Sequence, residues 1–137
     1  MKKTIFLVLA LLAIVAFGVA AQESAPTSSV LSAEAQLCSG ISERMPTGMS
    51  DKFAPEVGQI YLWCRILGAL EPTTVKHIWS YKGEEMASVE LTIKSSSFRT
   101  WSSKTILPEW TGDWSVKIVD ASGVTLKELS FTVGGAQ

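Results

Sequence analysis

Histidine, cysteine and tyrosine are scarce in this chain, with one His, two Cys and two Tyr among 137 residues. His77 with two separated cysteines does not form a zinc pattern, which needs several N or S donors at short spacings. No G-x-S-x-G stands in the sequence, so the nucleophile elbow of an α/β-hydrolase is missing. A Gly-rich phosphate loop is missing as well, since the only Gly-Gly pair is Gly134-Gly135. A serine hydrolase would have to assemble from Ser102 or Ser103, His77 and Asp113, with a base beside the nucleophile. No metal and no cofactor is expected.

Long apolar runs are confined to the N-terminus. Lys2 and Lys3 precede an unbroken apolar stretch from Ile5 to Phe17, followed by the small residues Gly18, Val19, Ala20 and Ala21. A basic start, an apolar stretch and a small-residue cut site predict a cleaved signal peptide over 1–21. The stretch is shorter than the roughly 20 residues a membrane span needs. The expected product is secreted or periplasmic, with no membrane span in the mature chain.

A large excess of charge of either sign is also lacking. Without Lys2 and Lys3, ten basic and thirteen acidic side chains leave a net charge of −3. This balance argues against nucleic acid, which selects a clustered basic surface. Cys38 and Cys64 both follow the cut site, and an oxidising compartment favours a disulfide between them. Closing a loop of about 26 residues would contribute on the order of 3 kcal/mol. Two buried thiols are the alternative, because spacing alone does not bring two Cα atoms within bridging distance.

What is present is alternation. After a flexible lead-in over 22–30, a domain over 31–137 shows period-2 patterning. Ala33, Ala35, Leu37 and Ile41 suit a first strand, although a short Ser32-capped helix fits the same residues. Ser42 to Val57 carries Pro46, Gly48 and Pro55 and is expected as an irregular loop. Gln59 to Ile66 alternates Ile60, Leu62, Cys64 and Ile66 against Tyr61, Trp63 and Arg65. Thr74–Tyr81, a turn at Lys82-Gly83-Glu84 and a return through Ala87, Val89, Leu91 and Ile93 predict a hairpin. Further strands are expected over Phe98–Ile106, from Trp114 to Ile118, and over Val124–Val133 with a bulge near Lys127-Glu128. Six or seven short strands without helical period predict an all-β antiparallel β-sandwich of immunoglobulin-like topology.

Three blocks stand out: H-I-W-S-Y-K-G at His77–Gly83, F-R-T-W-S-S-K at Phe98–Lys104 and G-D-W-S-V-K-I-V-D-A-S-G-V-T-L at Gly112–Leu126. In this order they resemble a bacterial family known as domain of unknown function 2914, over roughly Cys38 to Val133. The resemblance implies a β-rich extracytoplasmic domain and brings no assigned activity, cofactor or catalytic residue.

All five tryptophans lie between Trp63 and Trp114. Arg99 and Trp101 share a parity, and with Lys104, Trp63 and Tyr61 they form the candidate binding set. An Arg beside a Trp either braces a sheet face, paired with Glu90 or Glu85, or grips a ligand. His77, Trp79, Tyr81, Gly83, Gly112 and Trp114 read as structural, with His77 neutral in the core and its pKa lowered by desolvation. The reading is a non-catalytic module for a protein or cell-envelope glycan. Its alternatives are a purely structural domain or a hydrolase using Ser102/Ser103 and His77.

Overall fold

A computed structural model describes residues 29–134. The expected signal peptide over 1–21 lies outside the described residues. Nine strands follow in order: β1 (Ser32–Ser42), β2 (Met45–Met49), β3 (Lys52–Phe53), β4 (Gln59–Leu67), β5 (Thr73–Tyr81), β6 (Glu84–Ile93), β7 (Ser97–Thr105), β8 (Gly112–Asp120) and β9 (Thr125–Val133). They form a four-stranded sheet in the order β2-β1-β4-β7 and a five-stranded sheet in the order β3-β9-β8-β5-β6. All pairings are antiparallel except β3 with β9.

Alternation decides which side of each strand is buried. Ile60, Leu62, Cys64 and Ile66 of β4 face inward, as do Val75, His77 and Trp79 of β5, Trp114, Val116 and Ile118 of β8, and Phe131 and Val133 of β9. Residues of both sheets thus share one core. Phe131 anchors it, stacked on Trp114 at 5.9 Å and edge-on to Trp79 at 6.2 Å. The β5–β6 hairpin turns at Lys82-Gly83, both at positive φ (51° and 87°), where glycine carries no Cβ penalty.

The strand count exceeds the six or seven expected because Ser42–Val57 is not one irregular loop. It contains β2, β3 and a 3-10 turn over Pro55–Val57. Pro46 and Gly48 lie inside β2, an edge strand, where a missing N–H costs no ladder bond. In β9 the irregularity falls where Ile118 pairs with Lys127 and Val119 with Thr125, so Leu126 is the extra residue, just before the predicted bulge.

The expected disulfide is not formed. Cys38 and Cys64 are both free and buried. In the β1–β4 register Cys64 stands opposite Ala35, whereas Cys38 stands opposite Tyr61. Three positions separate them, about 10 Å along the strands, beyond the roughly 7 Å limit for bridged Cα atoms. An odd offset also points the two thiols to opposite faces. Burial pushes the Cys64 thiol up to about 12, although a Thr100 main-chain hydrogen bond opposes it, and burial raises Cys38 too. Two thiols per chain should therefore titrate on unfolding without reductant, and neither should alkylate in the native state at neutral pH. A native fraction with no titratable thiol on unfolding would refute this.

Candidate functional site

The outer face of the four-stranded sheet is built by register. Across β4 and β7, Tyr61 stands opposite Ser103, Trp63 opposite Trp101 and Arg65 opposite Arg99. All six side chains point away from the core, because their neighbours Leu62, Cys64 and Ile66 point into it. Two tryptophans and two arginines thereby become cross-strand neighbours.

A third arginine arrives from the β1–β2 hairpin. Its two-residue turn, Glu43-Arg44, has both residues at positive φ (52° and 65°), a conformation that non-glycine residues adopt only when tertiary contacts hold it. Those contacts are visible at Arg44. Its Nη2 donates to the Arg99 carbonyl at 2.8 Å, its own carbonyl accepts from Trp63 Nε1 at 2.9 Å, and its guanidinium lies 5.6 Å from the Trp101 ring centre. The hairpin tip therefore lies over the outer face and leaves Trp63 only 4% exposed. Parity alone places Trp63 on a solvent-facing side; the hairpin over it is what buries it.

Arg99 has no carboxylate within ion-pair distance among the described residues. The expected pairing with Glu90 or Glu85 is absent, since both acids lie on β6 in the other sheet. Its Nη1 instead meets Met45 Sδ at 3.2 Å, a weak acceptor. Arg65 has Glu34 at 3.7 Å, with both side chains solvent-accessible.

The structure brings Arg99, Trp101, Trp63 and Tyr61 to this face but not Lys104. Lys104 stands opposite Ile60 on the inward parity, and its Nζ lies 5.0 Å from the Trp110 ring centre, at the end of the core. There Trp110, Tyr81 and Trp114 cluster, with Tyr81 donating to the Thr111 carbonyl at 2.7 Å and Trp114 Nε1 to the Trp110 carbonyl at 3.0 Å. Gly112, at φ 116°, leaves room for the Lys82 side chain, which a Cβ would meet at 2.9 Å. Arg44 was not singled out in the sequence, because Glu-Arg gives no turn signal of the Asn-Gly type.

A second cluster lies in the core. His77 Nδ1 is 2.6 Å from Ser102 Oγ, Nε2 is 3.5 Å from Cys64 Sγ, and Trp79 Nε1 donates to Ser102 Oγ at 3.3 Å. One assignment satisfies all three contacts: Trp79 N–H to Ser102, Ser102 O–H to Nδ1, and Nε2–H to the Cys64 sulfur. The Ser102–His77 distance meets the hydrogen-bond condition for a nucleophile and its base. However, His77 is 0% and Ser102 7% exposed, and burial lowers the His77 pKa to about 4, which makes it a weak base. Ser103, on the opposite parity, faces outward beside Tyr61.

On the outer side of the five-stranded sheet, a depression of about 740 Å³ is lined by Lys52, Lys82, Asp51, Asp113, Ser115, Ser130 and Thr132. Its charges balance, and Lys52 already contacts Asp51 at 3.7 Å. Among the described residues no group of three or more His, Cys, Asp or Glu comes together as a metal site, and no helix is long and apolar enough to cross a membrane.

Comparison with solved structures finds a mutant β-glucosidase from Listeria innocua in complex with laminaribiose, at a TM-score of 0.44 and 9% identity. The match covers 79% of this chain and spans 17% of that one. No curated protein matches the chain. The family model described as protein of unknown function (DUF2914) matches residues 72–133, a narrower span than the resemblance over Cys38 to Val133. That segment runs from the start of β5 through β9 and holds His77, Trp79, Arg99, Trp101 and Ser102, and over it the chain is similar to this family.

Proposed function

We propose that the protein is an extracytoplasmic, non-catalytic binding module whose face around Arg99 and Trp101 meets a partner protein or a cell-envelope glycan. The observation that carries this reading is the pair of cross-strand arginines, Arg65 and Arg99, with Arg99 lacking an acidic partner among the described residues. A purely structural role would pair that charge, since an unpaired cation half-removed from water adds nothing to stability. The proposed export rests on Lys2, Lys3 and the apolar run to Phe17. An immunoglobulin-like arrangement is proposed from the strand orders, with β1, β4 and β7 in one sheet against β9, β8, β5 and β6 in the other.

A structural reading has one observation in its favour: Arg44 binds the Arg99 carbonyl and stacks on Trp101, so the face also braces the hairpin. The variant Arg99→Ala/Trp101→Ala separates the two. Under the binding reading its Tm falls by only a few degrees, the equivalent of roughly 1 kcal/mol, while it no longer retains an envelope component that the parent protein holds. A collapse of the melting transition would make these residues structural and sink the binding reading.

A further inference from the structure

Three cations meet on one face of a chain whose overall charge is negative. Arg65 and Arg99 are direct cross-strand partners, an arrangement that places Cβ atoms about 5 Å apart and is destabilising for like charges. Arg44 approaches from the hairpin and is tied to the main chain of Arg99. Among the described residues the one carboxylate within ion-pair distance of these arginines is the exposed Glu34, at 3.7 Å from Arg65, while Glu43 adjoins Arg44 in the turn. Each guanidinium carries five N–H donors. Arg44 spends one on the Arg99 carbonyl, Arg99 points one at a thioether and Arg65 points one at Glu34, so most of the donors on this face have no acceptor among the described residues.

Building on the binding reading above, we infer that Arg44, Arg65 and Arg99 form a carboxylate-binding site for an acidic segment of a partner protein. A carboxylate set between the arginines turns their mutual repulsion into attraction and takes up paired donors in the fork geometry that guanidinium favours. Stacking of Arg44 on Trp101 holds one fork in place before binding, which lowers the ordering cost.

Two observations favour a protein over a glycan. A neutral sugar ring needs a free aromatic face, and Arg44 already covers Trp101. Beside Arg99, Met45 is 40% exposed on β2. Arg, Trp and Met together are the composition of protein interfaces, with Met adapting to apolar side chains of the partner. The fitting partner segment therefore alternates carboxylates with apolar residues.

The purified protein is titrated at low salt with a synthetic peptide alternating Glu with Leu and Phe, with the same peptide carrying Gln for Glu, and with polygalacturonate. Expected are saturable shifts of the Trp101 indole signal with the Glu peptide. Affinity should drop at least tenfold for the Gln peptide, for Arg65→Gln and Arg99→Gln, and when salt is raised to about 0.5 M, where surface charges are screened within a few Å. Both variants keep an unbranched polar side chain, and their circular dichroism serves as the folding control. Absence of saturable Glu-peptide binding, or equal binding of the two peptides, overturns the inference. If polygalacturonate instead engages the same arginines, the inference fails while the binding face stands. If the Arg99→Ala/Trp101→Ala chain unfolds and no probe binds, both fall together.

Discussion

Trp79→Ala is expected to cost on the order of 4 kcal/mol, the range for emptying a buried tryptophan site, and so to remove much of a domain stability of roughly 5–15 kcal/mol. Trp79 has no exposed surface and packs edge-on to Phe131. Its indole N–H also donates to Ser102 Oγ. Alanine therefore opens a cavity and strips one partner from a buried hydroxyl at once. Trp79→Phe separates these effects, since it keeps most of the packing and removes only the donor, at an expected cost of about 1–2 kcal/mol. Urea unfolding gives both values at constant m. A cost below about 1 kcal/mol for Trp79→Ala would mean that this side chain does not sit in a packed core.

The second large effect is acid sensitivity centred on His77. Burial lowers its pKa from 6.5 to about 4 in the folded chain. Above pH 6.5 the imidazole is neutral in both states and contributes no pH dependence. Between 6.5 and about 4 the unfolded chain takes up a proton that the folded chain refuses, so stability falls as the pH falls. The accumulated loss is about 3 kcal/mol, and below pH 4 it levels off as both states protonate. Unfolding free energies measured across this window should slope for the parent and flatten for His77→Gln. A parent profile parallel to that of the variant would show that His77 is not held neutral by the core.

Period 2 made much of the architecture legible. The alternation in Gln59–Ile66 and the β5–β6 hairpin with its Lys82-Gly83 turn appear in the structure within one or two residues of their expected ends. Those segments alternate a more apolar face with a more polar one, and that alternation is local. What was hidden came from tertiary placement. Pro46 and Gly48 read as loop punctuation, because nothing local distinguishes a loop from an edge strand whose N–H groups need no partner.

The candidate site divides along the same line. Arg99 and Trp101 were legible as a same-face pair from their spacing. The burial of Trp63 and the arrival of Arg44 depend on where the β1–β2 hairpin lies, which no residue within it announces. Ser102 and His77 were paired in the sequence as one possible hydrolase, and Cys64 was considered apart from them. Their meeting requires the spacing between two sheets, which strand periodicity does not encode. The disulfide failed for a register reason: an even cysteine count speaks for oxidation, but an odd offset on adjacent strands sets the thiols back to back.

The way the sheets end bears on how this domain meets other molecules. Each of the four lateral borders carries something that hinders an incoming chain from extending the ladder. On β2 these are Pro46 and a left-handed Gly48; β3 is only two residues long. On β6 they are Glu84, Glu85 and Glu90, and on β7 a main-chain oxygen, that of Arg99, is already occupied by a side chain. Edge-to-edge polymerisation is thereby discouraged at every border. Under the binding role proposed above, recognition falls to side chains projecting from a sheet surface, which can be retuned one residue at a time without disturbing the backbone pairing beneath them.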